Sequence, residues 1–278
     1  MLYRMLKLFL GPVLKVLYRP WIKGAEKIPG TGPAILASNH LAVIDSFFLP
    51  LMIEREVVFV GKADYFTGKG FKGAFVKWFM TRVGTIPIDR SGGKKSQAAL
   101  QKGLARLQSG ELFGIYPEGT RSPDGRLYRG KTGVARLALR SGAPVIPVAM
   151  IGTNIAQPIG TKIPRLHRIG VVIGDPLDFS RYQGMEDDRY VLRAITDEIM
   201  YSLMSLSGQE YVDLYAADVK KALASKEDTD EDAAATTERK VVAPGGRKAP
   251  EVEIPEPPAE SAAESEPKEN PENTQVDD

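Results

Sequence analysis

The chain has 278 residues, 43% of them apolar, which is enough to bury one substantial hydrophobic core. Its formal charge of +2 is unevenly distributed: residues 226–278 contain 6 Lys and Arg against 16 Asp and Glu, which leaves 31 against 19 in residues 1–225. The absence of cysteine excludes disulfides, thiolate-bound metals and a cysteine nucleophile, and the basic part favours an anionic partner such as a phospholipid surface, a phosphate-bearing substrate or nucleic acid.

Residues 1–23 predict an amphipathic helix. Its polar stripe, at steps of three or four residues, consists of Arg4, Lys7, Gly11, Lys15 and Arg19. No run reaches the roughly 18 uncharged apolar residues that span a bilayer. We expect this helix to lie in a membrane interface with its basic stripe at the headgroups. The alternative is a terminal helix whose broad apolar face packs on the protein core. Pro12 is expected to kink the helix or to divide it in two.

Residues 24–225 predict an α/β domain. Strands are predicted in "GPAILASNH", "VVFVGKADYF", "GTIPIDR", "ELFGIYPEGTRS", "APVIPVAMIGT" and "RIGVVIGDPLDF". Helices are predicted in "LAVIDSFFLPLMIE", "GFKGAFVKWFMTRV", "GKKSQAALQKGLARLQSG" and "GKTGVARLALRSG". Apolar strands that alternate with helices indicate a single layered domain with a mostly parallel central sheet flanked by helices. In such a sheet, ligands bind at the carboxyl ends of the strands.

The segment 226–278 is predicted to be a disordered acidic tail. It is rich in Pro and Glu and has no aromatic residue. Such a segment cannot bury enough apolar surface to offset the entropy lost on ordering.

One of the two histidines, His40, follows a predicted strand and precedes Asp45 by five residues. If His40 lies in the turn before a helix and Asp45 in its first turns, the carboxylate can bind Nδ1–H and leave Nε2 as a base. Ser38 or Asn39 would then cap the helix. The alternative for the pair is an ordinary structural histidine beside a carboxylate.

Two further predicted strand ends carry groups suited to a phosphate monoester. Arg90 ends "GTIPIDR", and Glu118, Gly119, Thr120 and Arg121 lie in "YPEGTRS". Arginine supplies bidentate donors, the threonine hydroxyl adds another, and Glu118 suits a substrate hydroxyl or the positioning of Arg121. Lys131 precedes a helix and adds charge to the same site, unless it is only a solvated lysine. Taken separately, these loops are equally explained by turn residues and surface arginines.

Together these stretches resemble the glycerolipid acyltransferase family, best known for the 1-acylglycerol-3-phosphate (lysophosphatidate) acyltransferases. "NHLAVID", "GTIPIDR", "YPEGTRS" and "VIPVAMIGT" match its four sequence blocks in order and spacing, and the first has the family's form NHxxxxD. The resemblance extends over about residues 20 to 215 and excludes the acidic tail.

The resemblance implies a reaction and a role for each matching residue. His40 would deprotonate the acceptor hydroxyl, Asp45 would orient it, and the alkoxide would attack an acyl thioester directly. Arg90 and the third-block residues Glu118, Gly119, Thr120 and Arg121 would hold the glycerol phosphate. The acyl donor would be acyl-CoA or acyl-carrier protein, the acceptor a lysophospholipid and the product phosphatidic acid. No metal or cofactor is expected, and the N-terminal helix would seat a peripheral enzyme on the cytoplasmic face of the cell membrane.

Other functions stay open at this stage. A relative of the same family would use glycerol 3-phosphate, another lysophospholipid or a glycolipid as acceptor. A non-catalytic protein that binds anionic lipid is a second class, although such a protein has no need of His40 and Asp45. Nucleic-acid binding is not expected, because no basic and aromatic interleaving accompanies the positive charge.

Overall fold

A computed structural model of the chain describes residues 2–82, 85–88 and 93–225. Two predictions lie outside the described residues: the anion-binding role of Arg90 and the disorder of the segment 226–278.

The strands form one large sheet and one small one. The large sheet contains β1 (Trp21–Lys23), β2 (Ala34–Ser38), β3 (Val57–Lys62), β4 (Ile86–Ile88), β5 (Leu112–Ile115), β7 (Val145–Ile151) and β8 (Gly170–Ile173). The small sheet pairs β6 (Leu127–Tyr128) with β9 (Tyr211–Val212). In the large sheet the strand order is β1-β8-β7-β2-β5-β3-β4. Its pairs are parallel except for β7 with β8, which is antiparallel. This confirms the predicted α/β fold with a mostly parallel sheet.

Helices connect the strands. They are α1 (Leu2–Tyr18), α2 (Asp45–Met52), α3 (Asp64–Thr67), α4 (Gly70–Arg82), α5 (Gly93–Gln108), α6 (Gly133–Ser141), α7 (Thr153–Ala156) and α8 (Arg189–Ser207). Residues 216–225 are also helical. The helix α8 was not predicted, although Asp188 caps its start by accepting from the N–H groups of Tyr190 and Val191, and Gly208 ends it in the left-handed conformation.

The sheet is buried on both faces, which explains why its strands are apolar throughout. Along β2, Ile35 and Ala37 belong to the core cluster that contains side chains of α5, α6 and α8. Ala34 and Leu36, which point the other way, belong to the cluster around α2. Successive strand residues point to opposite faces, so β2 is covered by helices on both sides.

The helix α1 exposes its apolar face and packs two positions of its polar stripe, Lys7 and Gly11, on the protein. Gly11 is buried, and a Cβ at this position would lie 3.1 Å from Leu51 Cδ1. The Lys7 ammonium donates to the carbonyl of Ile53. The exposed apolar side chains of α1 are Met5, Leu8, Phe9, Leu10, Val13, Val16 and Leu17. The alternative in which the broad face packs on the core is therefore wrong, and so is the placement of Lys7 at headgroups.

Two more features of α1 bear on the predictions. Pro12 lies inside α1, which continues through it, so the predicted division into two helices does not occur. Across the described residues, no helix combines the length and the apolar character needed to cross a membrane.

Candidate active site

His40 lies at the carboxyl edge of the large sheet, two residues after β2, and is buried. Its Nδ1 is 2.9 Å from Oδ2 of Asp45, the first residue of α2. The short turn between β2 and α2 brings the two side chains together, as predicted from their spacing. Because a carboxylate only accepts, this contact places the proton of the neutral ring on Nδ1 and the lone pair on Nε2.

The Asp45 carboxylate also holds the turn in which His40 lies. Its Oδ2 accepts from the backbone N–H of Leu41 at 2.7 Å and from that of Ala42 at 2.8 Å. Its Oδ1 is buried and has no hydrogen-bond partner among the described residues. One oxygen therefore fixes both the ring and the backbone that carries it.

Asn39 does not cap α2, contrary to the prediction for Ser38 or Asn39. The position before α2 is Ile44, and no side chain caps the helix start. The Asn39 amide instead exchanges hydrogen bonds with Met150 of β7: Oδ1 accepts from the Met150 N–H at 2.7 Å, and Nδ2 donates to its carbonyl at 3.1 Å. This pairing attaches the end of β2 to β7 and fixes the backbone immediately before His40.

Tyr116, the first residue after β5, stacks on the His40 ring. The ring centroids are 3.8 Å apart and the planes differ by 10°. The Tyr116 hydroxyl shares a hydrogen bond of 2.9 Å with Ser46 of α2. Sequence reasoning missed this residue, because an aromatic side chain at a strand end carries no signal that separates stacking from ordinary core packing.

Glu118 connects the third block to the first. Its Oε1 accepts from the backbone N–H of His40 at 3.3 Å, and its Oε2 accepts from that of Tyr128 at 3.0 Å. The carboxylate is buried, and this burial raises the pKa of Glu118 to about 8, against the opposing effects of the two N–H groups and the charge of Lys220. In this structure the carboxylate thus contacts backbone and makes no bond to Arg121, the partner suggested for it.

The third block folds directly against His40. The Ser122 N–H donates to the His40 carbonyl at 2.7 Å, and the Gly119 N–H donates to the Tyr116 carbonyl at 2.9 Å. Gly119 has φ of 74°, and a Cβ there would lie 3.2 Å from the stem of the Lys131 side chain. A larger residue at position 119 would therefore strain the backbone and displace Lys131.

Three cationic side chains belong to this loop or contact it. Arg121 is half-buried, and its guanidinium has no hydrogen-bond or ion-pair partner within the described part of the chain. Lys131 is exposed beside Gly119. Lys220, from the helical residues 216–225, donates to Thr120 Oγ1 at 3.1 Å and to the Arg121 carbonyl. Sequence reasoning missed Lys220, because it lies 99 positions from Arg121 and outside any recognised motif.

These features place a buried histidine–carboxylate pair beside a loop with cationic side chains. The sequence pattern of the acyltransferase family matches residues 19–151. That range contains the His40–Asp45 pair, the third block and Lys131. Residues 19–151 form a domain of the acyltransferase family.

Relatives of this acyltransferase domain occur in plants and bacteria. A chloroplastic 1-acyl-sn-glycerol-3-phosphate acyltransferase of Arabidopsis thaliana is 30% identical over 166 residues, which cover 59% of this chain and 45% of the relative. The enzyme of the same name from Limnanthes douglasii is 32% identical, with 62% and 61% covered. That of Bacillus subtilis is 26% identical, with 63% and 83% covered. The chain spans about half the length of several curated relatives that it matches.

A solved structure has the same fold. The crystal structure of the 1-acyl-sn-glycerophosphate acyltransferase PlsC from Thermotoga maritima matches with a TM-score of 0.55 at 23% identity. The match covers 72% of this chain and 77% of that one. At this identity the likeness establishes the acyltransferase domain's fold and nothing more.

Proposed function

We propose that the protein is a 1-acylglycerol-3-phosphate O-acyltransferase. It transfers an acyl chain from acyl-CoA or acyl-carrier protein to the free hydroxyl of 1-acyl-glycerol 3-phosphate, which yields phosphatidic acid for phospholipid synthesis. The observation that carries the proposal is the contact between the His40 carbonyl and the Ser122 N–H, which joins a base to a phosphate-suited loop. The acyltransferase family pattern and the names of the relatives support the same reaction.

His40 acts as the general base. Its Nε2 takes the proton from the acceptor hydroxyl while Asp45 stabilises the imidazolium that forms. The oxygen attacks the thioester carbonyl, and the tetrahedral intermediate collapses to the ester and a thiolate. The thiolate then takes the proton from the imidazolium, so the base is regenerated and no acyl-enzyme forms. Tyr116 limits rotation of the ring by stacking on it.

The cationic side chains hold the acceptor phosphate. A half-buried guanidinium without a carboxylate partner in the described residues is suited to bidentate binding of a phosphate, so Arg121 is the principal ligand. Lys131 and Thr120 complete this side of the site, Gly119 provides the left-handed turn that brings Lys131 beside the loop, and Arg90 is proposed as a further ligand. Lys220 holds the loop by its bonds to Thr120 and the Arg121 carbonyl. No metal or cofactor is proposed.

Glu118 positions the base rather than touching the acceptor. Its carboxylate bonds to the N–H groups of His40 and Tyr128, so it links the first loop to β6. Glu118 is 1% exposed, so its carboxylate is closed to a substrate hydroxyl in this structure.

The apolar face of α1 is proposed to bind a membrane. Seven exposed large apolar side chains on one helix are suited to the acyl boundary of a bilayer, and burying them there would be favourable. This would make the protein a peripheral enzyme on the cytoplasmic face of the cell membrane, where a lysophospholipid acceptor resides.

The test is thiol release from an acyl-CoA by purified protein on lipid vesicles. Lysophosphatidic acid, glycerol 3-phosphate and lysophosphatidylcholine serve as acceptors, and His40→Ala is the control. We expect release that depends on lysophosphatidic acid and is lost in the variant. Release with another acceptor would keep the mechanism and change the substrate. Absence of release with acyl-CoA and with acyl-carrier protein donors, from folded protein, would favour a non-catalytic lipid-binding protein.

A further inference from the structure

The segment 153–168, which follows β7, exposes large apolar side chains outside α1. Ile155, Ile159, Ile163 and Leu166 are 54%, 47%, 83% and 68% exposed. Scattered single apolar residues are normal on a protein surface, but four in 12 consecutive positions form a local group. The reaction proposed above does not use any of them.

Hydrogen bonds hold this segment in place. The Arg165 N–H donates to the Ala156 carbonyl at 2.7 Å, and the Thr161 N–H donates to that of Pro158 at 3.1 Å. The Gln157 side chain donates to the Thr161 carbonyl at 3.5 Å. The chain therefore returns on itself and presents its apolar side chains from a defined turn.

The segment is attached to the catalytic turn. Gln157 Oε1 accepts from the backbone N–H of Ile44 at 3.2 Å, one residue before Asp45. Val43 and Phe47, which flank that contact along the chain, are exposed as well. At its other end α2 contacts α1, through Leu51 and Gly11. Exposed apolar side chains thus occur on α1, on the segment 153–168 and on α2, which contacts both.

The charge of the segment matches an anionic surface. Lys162 and Arg165 are exposed between the apolar positions, and Arg168 is exposed two residues after Leu166. Residues 125–174 contain no Asp or Glu, so no acidic side chain of this stretch offsets them. Cationic side chains beside exposed isoleucine and leucine are typical of segments that insert into a headgroup region, where both kinds of group gain.

We propose that the segment 153–168 is a second membrane contact that binds anionic phospholipid. The inference rests on the proposed function, because the catalytic turn must lie close to a bilayer if its acceptor is a membrane lipid. With α1 at one end of α2 and this segment at the other, the contact directs the His40 edge of the sheet toward the lipid from which the acceptor comes.

The test is co-sedimentation of the full chain with vesicles of phosphatidylcholine, with and without phosphatidylglycerol, in the absence of substrates. Ile163→Ser with Leu166→Ser is expected to weaken binding to both kinds of vesicle about tenfold. Lys162→Gln with Arg165→Gln is expected to weaken binding about tenfold on anionic vesicles only. This loss of binding should be smaller at high salt. Phe9→Ser with Val16→Ser measures in the same assay how much of the vesicle binding depends on α1.

Matched controls remove equivalent groups elsewhere on the surface. Met185→Ser with Tyr201→Ser removes two exposed apolar side chains, and Lys102→Gln with Arg189→Gln removes two exposed cations. Both are expected to bind vesicles as the unaltered chain does. Circular dichroism melts establish that each variant is folded.

Three results would overturn the proposal. The first is unchanged vesicle binding by both segment variants while the α1 variant loses it. The second is an equal loss in the matched controls. The third is unchanged vesicle binding by Lys162→Gln with Arg165→Gln together with lower turnover on an acyl-carrier-protein donor alone, which would make the segment a site for that acidic protein. Because vesicle binding is measured without turnover, failure of the acyltransferase assay leaves this test intact.

Discussion

Two loops form the candidate site: the first loop, residues 39–45, and the third loop, residues 116–122. Their functional side chains differ in how far they are already hydrogen-bonded. In the first, Asp45 Oδ2 accepts from the ring and the turn, and the ring stacks on Tyr116. In the third, backbone bonds fix the loop, but the Arg121 guanidinium has no partner among the described residues. A base needs a fixed tautomer and direction before substrate arrives, whereas an anion site needs donors kept available for the ligand.

The strongest test of the first loop is His40→Ala. Loss of the base is expected to reduce kcat/KM for thiol release by about 10²–10⁴-fold, which is the usual contribution of a general base to such a proton transfer. The measurement is thiol release with lysophosphatidic acid, and thermal unfolding is followed in parallel. Activity within tenfold of the unaltered chain would exclude His40 as the base.

Asp45→Asn tests whether the carboxylate acts by charge or only by shape. The amide keeps the size of the side chain but cannot stabilise the imidazolium, so kcat is expected to fall about 10²-fold with KM for both substrates nearly unchanged. The loss of activity in Asp45→Asn is expected to be smaller than that in His40→Ala. A loss confined to thermal stability, with normal kcat in the folded fraction, would reduce Asp45 to a turn-holding residue.

For the third loop, Arg121→Lys keeps the charge and removes the bidentate geometry. KM for lysophosphatidic acid is expected to rise about tenfold, with kcat and KM for the thioester changed little. Steady-state kinetics with each substrate varied separately make the distinction. A selective rise in KM for the thioester would reassign Arg121 to the donor site.

Lys220→Met tests a residue that holds the loop from outside it. Loss of its bonds to Thr120 and the Arg121 carbonyl is expected to raise KM for the acceptor about threefold, because the loop loses two charge-assisted hydrogen bonds but keeps its backbone bonds to His40 and Tyr116. In an Arg121→Lys background the effect should be smaller than in the unaltered chain, since both changes act on the same ligand. Full additivity would contradict a shared role.

Glu118→Gln is expected to change turnover least and to alter the pH dependence of stability. Since burial raises its pKa to about 8, Glu118 binds a proton more tightly in the folded chain than in the unfolded one. Its contribution to the free energy of unfolding therefore falls as pH rises from about 4.5 to about 8. Glutamine resembles the protonated acid and does not titrate. The variant should show a weaker fall in stability over this window, measured by urea unfolding; an unchanged slope would assign the fall to other groups.

Much of the fold was predictable because it depends on local pattern. The apolar strands and their alternation with helices follow from spacing along the chain, and the mostly parallel sheet follows from that alternation. The packing of Lys7 and Gly11 on the protein was not predictable, because a stripe of Arg, Lys and Gly fits a headgroup surface as well as a protein surface. Packing of Gly11 against Leu51 decided between them.

By itself the sequence determined the α/β fold, the His40–Asp45 pair and the acyltransferase motifs, since each depends on residues close in the chain or on blocks in a set order. Only the tertiary structure placed Tyr116 on the His40 ring, turned Glu118 to backbone N–H groups and brought Lys220 to the third loop. Such contacts join residues from different strands and helices. Sheet order and helix packing decide which of them meet, and no local pattern encodes that choice.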